Sequence, residues 1–580
     1  MQKRKKFTLK TDILIIGNGS SGMWAAKRAK ELAPELEVTI VDKGPKDWGG
    51  LMSMSEGDFD AVTPEKSLDE WMQDLVYYWD GLCDQKTMKT LFGLSYDRMC
   101  DYQNMGVSYL KDKDGNLRGV EQRGLEHICL YPTDMKGDGG KCMAKVLTKV
   151  LEEAGVKRFG RVMIVQLMKN KNGQIEGAAG FDTISGDFYK IESKVVLIAA
   201  GRGGWKASYG NNTASGEWID MALKVGAKVR NFEFVEVWNV PKLYAWEGQT
   251  ILLPLGARYV NAAGEPFMSR YSPKYGANTD PHYITMAMAY ETRAGRGPIY
   301  FDLSQMKEES IKMVEPNAGW QLLNHQKLSD MGMNFFTSKT EWMPQLLTDF
   351  GGLDTDLYGQ TAVAGLFAAG RSRSLDNGVY MGGFDLSTTS TTGYLAGEGM
   401  VRYIREQYQP TAEIAEERWN KAAQEIYRPL QQNGIQPKEV LRKIQELVFP
   451  YQVCILKTEA SLQDALEKLM CLQQELLSKM TASDPHYLMK LYEVQGIFRV
   501  TELYLRASLL RRESRAGHFR EDYPQRDDGQ YLGWILLHEE NGNVEHEFRR
   551  VPIEEYKYKI KKYYSDQFCF PVLERETTVD

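Results

Sequence analysis

Thr11 to Gly44 reads TDILIIGNGSSGMWAAKRAKELAPELEVTIVDKG. Ile13, Leu14, Ile15 and Ile16 form a short apolar run, as in a buried parallel strand. The turn Gly17-Asn18-Gly19-Ser20-Ser21-Gly22 then leads into a helix expected to reach about Leu32. In such a turn Gly17 permits the tight bend, Gly19 lets the backbone approach a pyrophosphate, and Gly22 lets helix pack on strand. The free N–H groups of the helix start face the phosphates. A second strand, VTIVD, ends in Asp42, at a spacing that suits a carboxylate taking the hydroxyls of an adenosine ribose. Strand, helix, strand and terminal acid together predict a dinucleotide seat.

The chain has 580 residues, too many for one ordinary core, so two to four domains are expected. Hydrophobic content of 43% and charged content of 26% are those of a soluble globular protein. A formal charge of −6 leaves no basic footprint for nucleic acid. No apolar run approaches the length of a transmembrane segment. The start, MQKRKKFTLK, lacks the apolar stretch of a signal peptide and is read as a solvated tail, so a cytoplasmic location is expected. The seven cysteines are scattered, with no CxxC pair, and the seven histidines form no HExxH. No metal or iron–sulfur centre is expected in the chain, and its cysteines read as reduced, buried thiols.

Beyond residue 60 the patterning is helical to about residue 105, and CMAKVLTKVLEEAG at 142–155 reads as an amphipathic helix closed by glycine. VMIVQLMKNKNGQIEGAAGFD is a hairpin around Asn-Gly. KVVLIAAGRGG and GLFAAGRSRS are two more strands running into glycines. Between them, from about 236 to 345, the chain turns rich in Pro, Tyr and Trp with irregular spacing. Residues 406–512 are almost wholly helical, and the last fifty are mixed and polar. The nucleotide unit is thus split, with a domain inserted between its parts, and clefts at such junctions hold substrates.

Several strings, in order, resemble the flavoprotein subunits of succinate dehydrogenase and fumarate reductase, with L-aspartate oxidase and adenylylsulfate reductase alpha. They are the glycine motif at 17–22, VVLIAAGRGG, NNTASGEWIDMALKVGA, NFEFVEV, GGLDTD, GLFAAGR and RRESRAGHFREDYPQRDD at 511–528. FRRVPIEEYKYK and GPIYFDL lean toward the adenylylsulfate reductase branch. The resemblance implies an α/β fold with an FAD-binding, Rossmann-like domain of glutathione-reductase type over 1–235 and 346–405. An α+β capping domain over 236–345, a helical domain over 406–530 and a C-terminal segment over 531–580 complete it. It implies FAD rather than NAD. By resemblance, Gly17, Gly19, Ser20, Ser21 and Gly22 cradle the pyrophosphate, and Asp42 with Lys43 meets the adenosine. Gly49 and Gly50 lie beside the isoalloxazine, and Ala200 and Gly201 border the adenine side. Glu217 stands where the family has an aspartate against the flavin. Gly370, Arg371, Asp385 and Leu386 belong to the returning strand and the next helix start, with Arg371 in place of the usual glutamate. Membrane-complex members bind FAD covalently to a histidine soon after the second strand. This chain has none before His127, so its FAD is expected to be non-covalent.

On the substrate side the chain departs from the family. The histidine of the FHPTG-like segment becomes Trp238, the following Thr-Glu pair gives way to ILLPLG, and the proton-donating arginine becomes Pro281. Leu347 replaces a second histidine, and Tyr380 the last clamp arginine. Buried carboxylates need paired cations, because an unpaired buried charge is costly. A pocket of Trp238, Leu252, Leu253, Pro254, Leu347, Tyr380 and Met381 offers none and suits an apolar or neutral unsaturated molecule; alternatively these are core residues and the pocket lies elsewhere.

The reading that follows is an FAD-dependent oxidoreductase acting on a carbon–carbon double bond: a diene such as isoprene, an enone or an enoate. Tyr380, then His282, then Arg258 are the candidate proton donors. An adenylylsulfate reductase-like or fumarate reductase-like flavoprotein and a non-catalytic electron relay are the alternatives. Electrons are expected from a ferredoxin-like iron–sulfur subunit, or from another reductant.

Overall fold

A computed structural model of the chain describes all residues except 1–3, 136–137, 209, 211, 246–248, 315–325, 335–336, 411–412, 431–433 and 572–580. Its centre is a five-stranded parallel sheet in the order Leu366–Ala368, Val195–Ile198, Ile13–Ile16, Val38–Val41, Lys157–Phe159. The first four strands are buried at every residue, which is why they read as unbroken apolar runs rather than alternating ones. Helix Ser20–Leu32 follows the glycine turn and packs along the long helix Phe384–Glu406. That contact requires small residues. A Cβ on Gly393 would sit 2.4 Å from the Ser21 carbonyl oxygen, and one on Gly397 2.7 Å from that of Ala25. In the STTSTT run of the long helix, Thr388, Thr391 and Thr392 bury their hydroxyls by donating them to carbonyls one turn back, as Thr388 does to Phe384 at 2.7 Å. The segment returning after the insertion is thereby locked onto the first helix.

A second sheet pairs Lys6–Lys10 with Phe188–Glu192 and continues through Ile175–Asp182 to Val162–Lys169. Gly173, at φ +82°, makes the hairpin bend expected at Asn-Gly. The inserted sheet is antiparallel, in the order Val235–Pro241, Thr340–Asp349, Ile299–Asp302, Arg258–Val260. Helix Pro281–Arg293 packs on it, opened by Asp280, whose carboxylate accepts the His282 amide at 2.6 Å, and by Pro281 in the first turn.

Helices Glu416–Tyr427, Pro437–Val448, Glu459–Glu475 and Pro485–Leu510 follow. Three arginines of the string after them, Arg511, Arg515 and Arg520, are buried. Arg511 pairs with Glu233 and Glu513, each at 2.8 Å, and Arg515 with Glu513 at 2.7 Å and Asp528 at 2.6 Å. Such a network specifies how helices, nucleotide body and C-terminus dock more than it adds net stability. Up to residue 571 the polar final stretch is built into the fold. Hairpin Gly533–Glu540/Asn543–Arg550 extends a sheet with Val229–Arg230 and Gly352–Leu353. The chain beyond it lays Tyr564 and Phe568 against the inserted domain, with Phe568 stacked on Tyr283 at 3.6 Å between ring centroids.

Candidate active site

The glycine turn is built as its spacing predicts. Gly17 stands at φ +113°, and a Cβ there would lie 2.2 Å from the Ala199 carbonyl oxygen. One on Gly22 would lie 2.1 Å from that of Gly17. Gly19 differs: a Cβ there meets nothing nearer than the Gly49 oxygen at 3.9 Å. Its surface opens on a cavity of about 1380 Å³. That exceeds the roughly 300–1,000 Å³ of an ordinary small-molecule pocket and leaves room for a dinucleotide with a substrate beside it.

Two sets of side chains share the cavity wall. In the first, the Asp42 carboxylate accepts the amides of Asn18 at 2.7 Å and Gly44 at 2.6 Å, so it also organises the glycine turn. Burial raises its pKa against the pull of those two donors. Lys43 reaches Glu217 and the Ser215 hydroxyl at 2.8 Å and Glu493 at 3.0 Å. Burial pulls its pKa down; the two carboxylates outweigh that and raise it.

The second set is charged and aromatic. Arg202 pairs with Glu236 at 2.9 Å and Asp385 at 3.1 Å, its guanidinium lying over the Phe350 ring. Arg371 pairs with Asp376 and Asp385, each at 2.6 Å. Glu236 is raised by burial, against Arg202, and accepts the Trp238 indole N–H at 3.1 Å. Trp238 meets the Tyr380 ring edge-on at 5.0 Å. Tyr380 is fixed through its backbone: its amide donates to Asp280 at 2.8 Å and its carbonyl accepts the Tyr78 hydroxyl at 2.8 Å. Burial, then Asp385 and Glu236, push its phenol up, so it keeps its proton.

The FAD binding domain family matches residues 12–384, and the fumarate reductase flavoprotein C-terminal family matches residues 442–563. The chain belongs to the fumarate reductase and succinate dehydrogenase flavoprotein family. This flavoprotein is 26% identical over 538 residues to a CoM/CoB fumarate reductase chain of Methanothermobacter marburgensis, covering 89% of this chain and 94% of that one. It is 24% identical over 566 residues to the chloroplastic L-aspartate oxidase of Arabidopsis thaliana, covering 91% and 83%. A mutant quinol fumarate reductase chain from E. coli superimposes with a TM-score of 0.86 at 20% identity, over 95% of this chain and 98% of that one. An adenosine-5-phosphosulfate reductase in complex with sulfite does so at 0.79 and 21%, over 94% and 97%. These two show a common fold. The flavoprotein's cofactor is FAD, and it is an FAD-dependent oxidoreductase. The open strip at Gly19, the uncapped helix start beside it and the cavity's size fit that group.

Gly17, Gly19, Ser20, Ser21, Asp42, Lys43, Gly49, Gly50, Ala200, Gly201, Glu217, Arg371, Asp385 and Leu386 all line the cavity, as do Trp238, Pro254 and Tyr380. Gly22 and Gly370 lie behind the wall, where a Cβ on Gly22 would meet the Gly17 carbonyl oxygen and one on Gly370 the Ser21 side chain at 2.4 Å. Leu252, Leu253, Leu347 and Met381 are buried off the wall, with Leu347 in one small cluster with Trp238 and Val240. Arg258 sits on the edge strand of the inserted sheet, paired with Asp302 at 2.9 Å and away from the cavity. His282 is buried in its helix, also off the wall. Burial, then Lys457, lowers it to about 3, so its ring is neutral near pH 7. The wall is more charged than the aligned positions indicate, because Arg202, Glu236 and Arg123 enter it from other segments. Arg202 and Glu236 were visible in the sequence as the single charges inside AAGRGG and VEVWNVP, runs that are otherwise uncharged.

Among the described residues, no histidine or cysteine lines the cavity. Acid precipitation is therefore expected to release the flavin into the supernatant. Yellow colour retained on the pellet, and fluorescence on a denaturing gel, would show a covalent bond instead.

Proposed function

We propose that this flavoprotein reduces the carbon–carbon double bond of a substrate that does not carry two carboxylates. The supporting observation is the wall around Tyr380. Its two inner arginines, Arg202 and Arg371, already hold Glu236, Asp385 and Asp376. A dicarboxylate would enter without a pair of free cations and bear an uncompensated desolvation cost. An apolar skeleton would instead gain roughly 25 cal/mol per Å² buried against Trp238 and Tyr380. The similarity to fumarate reductases supports a dicarboxylate as the second reading.

In this scheme Gly17, Gly19, Ser20 and Ser21 receive the pyrophosphate, Asp42 the ribose, and Gly49, Gly50, Arg371, Asp385 and Leu386 the ring system. FAD, once reduced, supplies a hydride. Tyr380 supplies the proton; its hydroxyl has no hydrogen-bond partner among the described residues, and its ring is held by Trp238. The electron donor we propose is a separate ferredoxin-like iron–sulfur protein or another reductant. The scatter of seven cysteines with no CxxC pair supports a donor outside this chain. No helix among the described residues is long and apolar enough to cross a membrane.

Steady-state oxidation of reduced methyl viologen under argon tests the reading. Enones, enoates, isoprene and fumarate are offered in turn. Turnover with an enone, an enoate or isoprene, exceeding that with fumarate, is expected. Electron uptake by the flavin with no turnover on any alkene would point to a relay instead.

A further inference from the structure

One stretch of the cavity wall is formed by a loop that the resemblance leaves without a role, Gln122-Arg123-Gly124. The loop is held on both sides. The Gln122 side-chain amide donates to Asp60 at 3.1 Å and to the Gly382 carbonyl, two residues beyond Tyr380. Its backbone amide donates to the Ile128 carbonyl at 2.9 Å. Gly124 stands at φ +74°, and a Cβ there would lie 2.8 Å from the Tyr564 hydroxyl, so the C-terminal segment presses directly on the turn. Between these fixed points Arg123 is half-buried and lines the cavity.

Its guanidinium has no ion-pair partner among the described residues. Nη1 is buried and has no hydrogen-bond partner among the described residues. The nearby carboxylate is Asp280, which Arg123 helps to pull down against burial, yet no ion pair joins them. The Asp280 oxygens are occupied by the amides of His282 at 2.6 Å and Tyr380 at 2.8 Å, and by the Tyr78 hydroxyl at 3.2 Å. A buried charged donor without an acceptor is costly and is an uncommon feature of a native wall. The rim carboxylates Glu121 and Glu126 and the rim cation Lys274 are exposed, so solvent screens them from a ligand inside.

Resting on the reading of an alkene reductase, we propose that Arg123 anchors a single carboxylate of the substrate, which is a monocarboxylate alkene of the 2-enoate class. One cavity-lining arginine with no carboxylate partner among the described residues matches one carboxylate, and a charge-assisted bond of this kind is about twice as strong as one between neutral partners. Asp280 holds the Tyr380 amide at 2.8 Å, and Arg123 acts on the same carboxylate through its charge, which pulls it down against burial.

The test uses FAD-loaded protein and non-reacting saturated ligands, 3-phenylpropanoate and 3-methylbutanoate, with the primary amide of each. Affinity is read from the flavin difference spectrum and from calorimetry. In the unaltered protein at least one acid is expected to bind about tenfold or more tighter than its amide. Arg123→Gln should bring that ratio near one by weakening the acid alone. Arg123→Lys should recover part of it, with flavin content and melting temperature unchanged in both variants. An acid-to-amide ratio that survives Arg123→Gln, or that is absent from the unaltered protein, would overturn the anchor. Acid preference that depends on Arg123 in a protein reducing no alkene would support the anchor and overturn the reaction reading.

Discussion

Gly19→Val is expected to abolish FAD binding while leaving the fold in place. The three glycines of the turn separate cleanly on geometry. Gly17 and Gly22 have carbonyl oxygens 2.2 Å and 2.1 Å from where a Cβ would stand, so substitution there breaks the strand–turn–helix unit itself. Gly19 has φ −86°, an ordinary value for any residue, and 3.9 Å of clearance. Valine at this helix N-cap costs the protein only about 0.5–2 kcal/mol. The same branched side chain fills the strip that a pyrophosphate must approach. A fall in FAD affinity of more than about 100-fold, or about 2.7 kcal/mol, is expected. Flavin absorbance per mole of protein and a thermal melt separate the two effects. Full flavin content in a folded Gly19→Val protein would place the nucleotide elsewhere.

Tyr380→Phe carries the second large effect. The substitution removes one hydroxyl that has no partner among the described residues, so packing against Trp238 and the backbone bonds to Asp280 and Tyr78 persist. Flavin content and affinity for a saturated substrate analogue should therefore change by no more than about twofold. Substrate-dependent reoxidation should slow by about 10²–10⁴-fold, the usual contribution of a positioned proton donor. Unchanged kinetics would transfer the role to another group. Glu236 is the next choice, since it lines the same wall and burial holds its carboxyl above the ordinary range.

The nucleotide half of the molecule was legible because its rules are local. Gly17, Gly19, Gly22 and Asp42 lie within one βαβ unit, and each distance that matters there is fixed by strand and helix geometry. What spacing did not show is that Asp42 also holds the turn through the amides of Asn18 and Gly44. The substrate half is assembled from distant segments, and position in a motif is a poor guide to which face a side chain takes. Trp238 lines the cavity while Leu347, from the neighbouring strand, packs in a small cluster with it off the wall. Arg258 and His282 sit in segments adjoining the site, yet one is paired at the sheet edge and the other is sealed inside its helix. Arg123 had no visible signal, since an arginine in a polar loop looks solvated until the C-terminal Tyr564 closes over the next residue. That closure is itself invisible in the sequence, because the aromatic residues after the last hairpin follow no period.

The most direct measurement is anaerobic single turnover in a stopped-flow instrument. The flavin is reduced chemically and then mixed separately with fumarate, a 2-enoate, its methyl ester and isoprene, and its absorbance is followed. The proposed wall predicts rapid reoxidation by the 2-enoate, slower reoxidation by the ester, and reoxidation by fumarate slower by about 100-fold or more. Rapid reoxidation by fumarate alone would contradict it.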